Sequence, residues 1–168
     1  MNDLDRSDDR VQDTTGATST PRVTRTRRDD AVAIVNGLFG DTLENRSSRL
    51  ATQMTIRVGD VVLPLDRDAL AEALVASGAH VSKRICVLVH GLMSTESIWG
   101  FGGDRSTTYG TLLAGDHDVT VLSLRYNTGR DISTNGRDLA ALLDQLVRCW
   151  PGRVREVNLI GHSMGGLV

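Results

Sequence analysis

The sequence predicts an α/β protein in which a mostly parallel sheet follows an N-terminal antiparallel hairpin. Two observations carry this prediction. Residues 53–65 alternate apolar and polar side chains around Gly59-Asp60, which is typical of two antiparallel strands joined by a tight turn. Further along, three short apolar runs at 85–89, 119–124 and 154–160 are separated by stretches with helical spacing. That order favours a parallel sheet whose strands are buried on both faces.

Helix signals lie between the predicted strands. The first helix is expected to start after Asp66 or Asp68, whose side chains suit an N-cap, and to end at Gly78. A second helix is expected over 107–114, closed by a glycine, and a third over 132–150. The third helix is predicted to pack on the sheet because its large apolar residues share one side, namely Leu139, Leu142, Leu143, Leu146 and Val147.

The first thirty residues differ in composition from the rest. They are rich in Asp, Arg, Thr and Ser, so too little apolar surface is present to offset the entropy cost of ordering them. Residues 1–30 are therefore predicted to be a disordered polar tail. Residues 31–43 carry apolar side chains at mostly helical spacing, which predicts a short amphipathic helix. One globular domain is expected over 31–168.

Composition and charge give no reason to expect nucleic acid, a membrane span or a metal. The 168 residues carry a formal charge of −2 and have a pI near 6.1, which gives no electrostatic reason to expect nucleic acid. The chain has no apolar run of about twenty residues, so no transmembrane segment is predicted. Cys86 and Cys149 lack a second thiol or histidine at metal-ligand spacing, so neither a metal nor a cofactor is predicted.

The two cysteines also bear on compartment. Both are interpreted as buried, small apolar side chains, which fits a reducing compartment and predicts a cytoplasmic protein. A disulfide between them in an oxidising compartment remains the alternative.

The strongest chemical signal is a G-x-S-x-G motif directly after the third apolar run. The sequence Gly161-His162-Ser163-Met164-Gly165 is typical of a nucleophile elbow, in which a sharp strand-to-helix turn projects a serine hydroxyl away from the sheet. Such a strained turn needs glycine on both sides of the serine to avoid collisions. The alternative is a glycine-rich turn that merely packs closely or binds a phosphate.

A second motif, His90-Gly91-Leu92, ends the first apolar run. Alone, a His-Gly pair after a strand is more often an ordinary turn. Together with the elbow, it resembles the lipases and esterases of the α/β-hydrolase family. The resemblance implies that Ser163 is the nucleophile and that the backbone N–H groups of Leu92 and Met164 form the oxyanion hole. It implies supporting roles for the remaining residues of both motifs, namely His90, Gly91, Gly161, His162 and Gly165.

Trp99, Tyr126 and Asn127 are three further residues with candidate roles near the two motifs. Trp99 resembles the aromatic residue often found in the loop after the His-Gly pair, but core packing is an equally good explanation, and no catalytic role is assigned to it.

The segments 124–130 and 135–137 are similar to a bacterial subgroup related to lipases and inositol deacylases. Tyr126 and Asn127 follow the carboxyl end of a strand, which predicts that they border the substrate crevice. Turn formation and capping are their alternative roles.

The resemblance implies acyl transfer on an ester of a small molecule or lipid, through an acyl-enzyme on Ser163. The family places the acid and the histidine of the triad after the serine, and only residues 164–168 follow Ser163 here. The expectation is therefore a truncated hydrolase domain that ends just after the elbow, is inactive as given, and leaves residues 154–160 as an exposed apolar edge. A non-catalytic binding module and an acyltransferase of the same fold are the alternative functions.

Overall fold

The computed structural model describes residues 53–101 and 104–168, with the side chains of 104–106 excepted. The predicted tail over 1–30 and the predicted helix over 31–43 lie outside the described residues. In chain order the described strands are β1 (Thr55–Val58), β2 (Val61–Val62), β3 (Arg84–Val89), β4 (Gly100–Phe101), β5 (Asp104–Thr108), β6 (Thr120–Arg125) and β7 (Glu156–Gly161). The described α-helices are α1 (Arg67–Ala76), α2 (Tyr109–Asp116) and α3 (Ile132–Cys149).

Five strands form one mixed sheet in the order β2-β1-β6-β3-β7. The strands β6, β3 and β7 run parallel to one another, while β1 is antiparallel to both of its neighbours. The predicted parallel sheet with an N-terminal antiparallel hairpin is thus confirmed. Parallel strands end at the same edge of a sheet, so the loops that follow β3, β6 and β7 meet there.

The hairpin and the first helix follow the local signals in the sequence. Gly59 adopts a φ of 53° in the turn between β1 and β2, a conformation that glycine adopts without steric cost. The Asp66 side chain accepts hydrogen bonds from the N–H groups of Asp68 and Ala69, each at 3.1 Å, and so caps α1. After the helix, Gly78 has a φ of 69°. The predictions for these two elements are confirmed.

Two elements after β3 differ from the predictions. The helix expected over 107–114 occupies Tyr109–Asp116, because Thr108 caps it through a reciprocal set of hydrogen bonds with Thr111. The predicted terminator Gly115 therefore lies inside the last turn. The strands β4 and β5 form a separate two-stranded ribbon for which the sequence carries no alternating pattern. The third helix matches its prediction closely, with Asp131 as its N-cap.

Hydrophobic contacts cover both faces of β3. On one face, Ile85, Val87 and Val89 pack with apolar residues of α1 and α3. On the other face, Cys86 and Leu88 pack with Trp99. Because β3 is covered on both sides, its continuous apolar run is explained.

The strand β7 differs from β3. Of the described strands, only β3 pairs with it, and Val157, Leu159 and Ile160 are exposed. The prediction that this strand is buried on both faces is wrong, since nothing in the described part of the chain covers its outer side. The strand has the exposed apolar edge expected from its position.

The thiols of Cys86 and Cys149 are both free. Cys86 is buried as predicted, whereas Cys149 is only partly buried, and its Sγ–H donates to the backbone oxygen of Leu65 at 3.3 Å. In the described ranges, no helix combines the length and the apolar character that crossing a bilayer requires.

Candidate active site

Ser163 stands at the start of a 3₁₀ turn, Ser163–Gly166, that directly follows β7. Its φ is 54°, in the left-handed region that residues other than glycine rarely adopt. Such a conformation costs about 1–3 kcal/mol and persists only where the surrounding contacts hold it. The residue is exposed, so the strained turn presents a serine hydroxyl to solvent at the carboxyl edge of the sheet.

The turn is close-packed against the end of β3. A methyl group built on Gly161 would lie 2.5 Å from the backbone oxygen of Gly165, and one built on Gly165 would lie 2.5 Å from that of His90. The N–H of His162 donates to the backbone oxygen of Val89 at 2.9 Å. Only glycine fits at positions 161 and 165, because any Cβ there would overlap the backbone.

The loop after β3 touches the serine. A methyl group built on Gly91 would lie 3.0 Å from Cβ of Ser163 and 3.1 Å from Nδ1 of His162. The two motifs of the sequence, which are far apart along the chain, are therefore in contact in the fold. Among the described residues, neither the N–H of Leu92 nor that of Met164 has a hydrogen-bond partner. Neither amide is engaged by another group within the described part of the chain.

His90 lies at the start of the loop after β3 and is fully buried. Its Nδ1 lies 3.0 Å from the backbone oxygen of Gly91, and because that oxygen can only accept, Nδ1 carries the proton. Burial lowers the pKa of His90 and outweighs the opposite effects of the Gly91 hydrogen bond and the Glu96 carboxylate, while Arg125 lowers it further. The ring is therefore neutral near pH 7. Its Nε2 has no partner among the described residues.

The segment after β6 packs against the same loop. The ring of Tyr126 stacks on that of His90 with centroids 4.6 Å apart, and its hydroxyl donates to the backbone oxygen of His90 at 2.8 Å. Burial raises the pKa of Tyr126 to about 12, so the hydroxyl keeps its proton.

Asn127, the other residue predicted to border the substrate crevice, is also buried. Its Oδ1 accepts from the N–H of Gly129 at 3.0 Å, and its backbone oxygen accepts from Nδ2 of Asn135 at 2.9 Å. Both Tyr126 and Asn127 shape the loop beside the site. Their contact with substrate stays a prediction.

An ion pair joins the loop after β3 to the end of β6. Glu96 opens a short 3₁₀ helix, Glu96–Trp99, and accepts from both Nε and Nη2 of Arg125. Burial alone would raise the pKa of the Glu96 carboxyl, but the hydrogen bonds from Arg125 and the nearby charges of Arg125 and Arg57 lower it below its usual range. The carboxylate is therefore charged near neutral pH.

A group of aromatic side chains packs against His162, the residue before the serine. The buried ring of Trp99 meets the ring of His162 edge to face, with centroids 6.3 Å apart, and meets Tyr109 in the same way at 6.2 Å. Phe101 lies against Tyr109 at 4.7 Å, and both of these rings are exposed. Trp99 thus packs with Cys86 and Leu88, in agreement with the core-packing explanation, and also contacts His162.

None of the described side chains accepts a hydrogen bond from the Ser163 hydroxyl. His80 pairs instead with Asp118 at 2.8 Å, at the amino end of β6. His117 caps the end of α2. Within 53–101 and 104–168, no three His, Cys, Asp or Glu side chains are grouped in a way that would hold a metal ion.

Two hydroxyl side chains at the site were not singled out from the sequence. Ser94 Oγ donates to the backbone oxygen of Gly91 at 2.8 Å, and Thr128 Oγ1 accepts from the N–H of Met93 at 3.2 Å. Met93 has a φ of 53°, the second strained residue other than glycine in the described chain. Thr128 falls within segment 124–130, but nothing in the sequence indicates which residue of this segment reaches the loop after β3.

Comparison with known proteins supports one superfamily. Residues 86–168 match the alpha/beta hydrolase family, a range that starts in β3 and includes both motifs. No curated protein and no solved structure matches the chain significantly. The family match supports placing the chain in the alpha/beta hydrolase superfamily. The mixed, mostly parallel sheet with its helices is consistent with part of that fold.

Proposed function

We propose that Ser163 is the nucleophile of a hydrolase that cleaves carboxylic esters through an acyl-enzyme. The observation that carries the proposal is the contact between the strained, exposed Ser163 and Gly91, whose neighbour Leu92 has an N–H that bonds to no other described residue. Within the superfamily, we place the chain near the bacterial subgroup related to lipases and inositol deacylases, on the strength of segments 124–130 and 135–137.

The chemistry proceeds in two transfers. Oγ of Ser163 attacks the carbonyl carbon and gives its proton to a base, and the N–H groups of Leu92 and Met164 stabilise the negative oxygen that forms. The bond to the alcohol then breaks, and the alcohol leaves with the proton. Water attacks the acyl-enzyme in the same manner, which releases the acid and restores the Ser163 hydroxyl. Each oxyanion donor is worth roughly 10²- to 10³-fold in rate.

The proposed reaction also requires a base and a carboxylate that orients this base. In the superfamily they follow the serine in the order Asp or Glu, then His. We assign neither role to the described histidines, because His90 is buried with Nδ1 already engaged and His80 is paired at the opposite end of β6.

Labelling with a fluorophosphonate tests the proposal. The full-length protein is expected to be labelled at Ser163 and to hydrolyse aryl esters, and both reactions are expected to be lost in Ser163→Ala. Ser133→Ala is a matched control, because that exposed hydroxyl bonds only near the cap of α3. A reading frame with no Asp or Glu followed by His after position 163 would contradict the proposal.

A non-catalytic binding module is the second candidate. It is favoured by the lack of a hydrogen-bonded base at Ser163 among the described residues. A full-length protein that is folded, inert to both reagents and specific for a partner in pull-downs would support it. An acyltransferase would instead label at Ser163 and pass the acyl group to an added alcohol, which product analysis detects.

A further inference from the structure

The Gly91–Leu92 peptide is held from its carbonyl side. Ser94 Oγ donates to the Gly91 oxygen at 2.8 Å, and His90 Nδ1 donates to it at 3.0 Å. In a planar trans peptide, the carbonyl and the following N–H point in opposite directions. The hydrogen bonds that fix the Gly91 oxygen therefore also fix the direction of the Leu92 N–H.

The next peptide, between Leu92 and Met93, is held by a side chain of the segment after β6. The N–H of Met93 donates to Oγ1 of Thr128, which is buried in the segment after β6. Met93 has a φ of 53°, a conformation that is unfavourable for its side chain and needs outside contacts to persist. The hydrogen bond to Thr128 stabilises the peptide orientation that this φ requires. Its loss would allow the backbone around Leu92 to relax.

We propose that Ser94 and Thr128 are positioning residues that aim the Leu92 N–H at the oxygen of the reacting carbonyl. This inference rests on the proposed function, because the amide has a negative oxygen to stabilise only if Ser163 attacks a carbonyl. Neither side chain touches the substrate, and each acts through the backbone of the loop after β3. Because the aimed interaction is strongest in the transition state, its loss lowers kcat more than it changes KM.

The Thr128 contact has a matched control elsewhere in the fold. Thr128→Val removes the acceptor with little change in volume, and Thr128→Ser keeps it. Thr120 Oγ1 also accepts a backbone N–H, that of Ser82 at 2.8 Å, but at the amino end of β6. Thr120 Oγ1 also donates to the backbone oxygen of His80 at 2.7 Å. Thr120→Val therefore removes the same kind of hydrogen bond, together with that second bond, far from the site.

The Ser94 contact has a matched control as well. Ser94→Ala removes a hydroxyl that donates to the carbonyl three residues earlier. Ser77 Oγ makes the same kind of bond, to the Leu74 oxygen at 2.7 Å, at the end of α1. Ser77 Oγ also accepts from the N–H of Ala79 at 3.3 Å. Ser77→Ala thus deletes an equivalent bond, together with that second bond, without touching the loop after β3.

The experiment measures aryl-ester hydrolysis, fluorophosphonate labelling and thermal unfolding in the full-length protein. Thr128→Val is expected to lower kcat about tenfold to hundredfold, part of the value of a complete oxyanion donor. KM is expected to stay within about a factor of three, and Thr128→Ser is expected to restore kcat. Ser94→Ala is expected to lower kcat about tenfold, less than Thr128→Val, because His90 still holds the Gly91 oxygen. The two control variants are expected to keep wild-type kcat.

Opposite results overturn the inference. A Thr128→Val protein with wild-type kcat, or a loss of kcat shared by Thr120→Val and Ser77→Ala, would show that these bonds act only on stability. If Thr128→Val does not fold, the comparison of Ser94→Ala with Ser77→Ala decides. A wild-type protein inert to both reagents overturns the proposed function and the positioning role together, whereas a reactive wild type with unaltered variants overturns the positioning role alone.

Discussion

The α-carbon of Gly165 lies directly against the backbone carbonyl of Val89, which brings the turn after β7 onto the end of β3. A methyl group at position 165 would overlap that oxygen and would also lie 2.5 Å from the oxygen of His90. Gly166, the next residue, has no atom closer than 4.0 Å to such a methyl group. The two adjacent glycines therefore differ sharply in what a side chain would meet.

Gly165→Ala is expected to lower the free energy of unfolding by about 3 kcal/mol or more, because backbone atoms cannot yield as a flexible side chain does. Gly166→Ala is expected to cost less than about 1 kcal/mol. Urea unfolding of both variants checks the difference. Equal effects would mean that the turn does not pack against β3 as described.

Glu96→Gln is expected to lower the free energy of unfolding by about 2 kcal/mol, since it removes the negative charge from a largely buried ion pair with Arg125. The side chains of Glu96 and Arg125 are only 10% and 19% exposed. Asp144→Asn breaks an exposed pair with Arg148 and is expected to cost about 0.5 kcal/mol or less. Chemical denaturation measures both changes. A larger effect of Asp144→Asn would contradict the assignment.

The ring of His90 is expected to take up its proton at a lower pH than an ordinary histidine, because burial lowers its pKa below the ordinary value of 6.5. The unfolded chain then binds more protons than the folded one as the pH falls below about 6.5, so the free energy of unfolding falls with it. The lowered carboxyl pKa values of Glu96 and Asp131 act only at lower pH. Ring nitrogen shifts measured by NMR titration report the His90 pKa. A His90 midpoint at or above 6.5 would refute this expectation.

Leu159→Lys is expected to reduce self-association of the 168-residue chain, because it places a charge on the open edge strand β7. Leu159 is 51% exposed. Val75→Lys makes the same change in charge on α1, where the side chain is 77% exposed, and is expected to have little effect. Sedimentation velocity measures the associated fraction. A similar reduction by both variants would point to net charge rather than to the strand edge.

The elements that sequence predicted well are those with local signals. The apolar runs of β3 and β6, the Asp66 cap and the glycines around Ser163 all carry their information within a few residues. The start of α2 differed by two residues because the Thr108 cap, rather than apolar spacing, sets it.

The ribbon of β4 and β5 could not be predicted, because β5 reads DRSTT and has no apolar alternation. The same is true of the contacts that shape the site. Ser163 and the Leu92 amide were identifiable from motifs, whereas the bond from Met93 to Thr128 joins side chain and backbone across separate loops. The donor, Met93, has a positive φ, and a methionine in the sequence does not indicate that conformation.

The position of β3 between β6 and β7 sets the order in which the site can form during synthesis. Val89 pairs with both neighbours, and its partner Gly161 is made 72 residues later, from 89 to 161. At typical translation rates of about 5–20 residues per second, the loop that carries Leu92 waits on the order of several seconds for the serine turn. During that interval the backbone edge of β3 that later pairs with β7 is open, and an open strand edge is prone to wrong pairing.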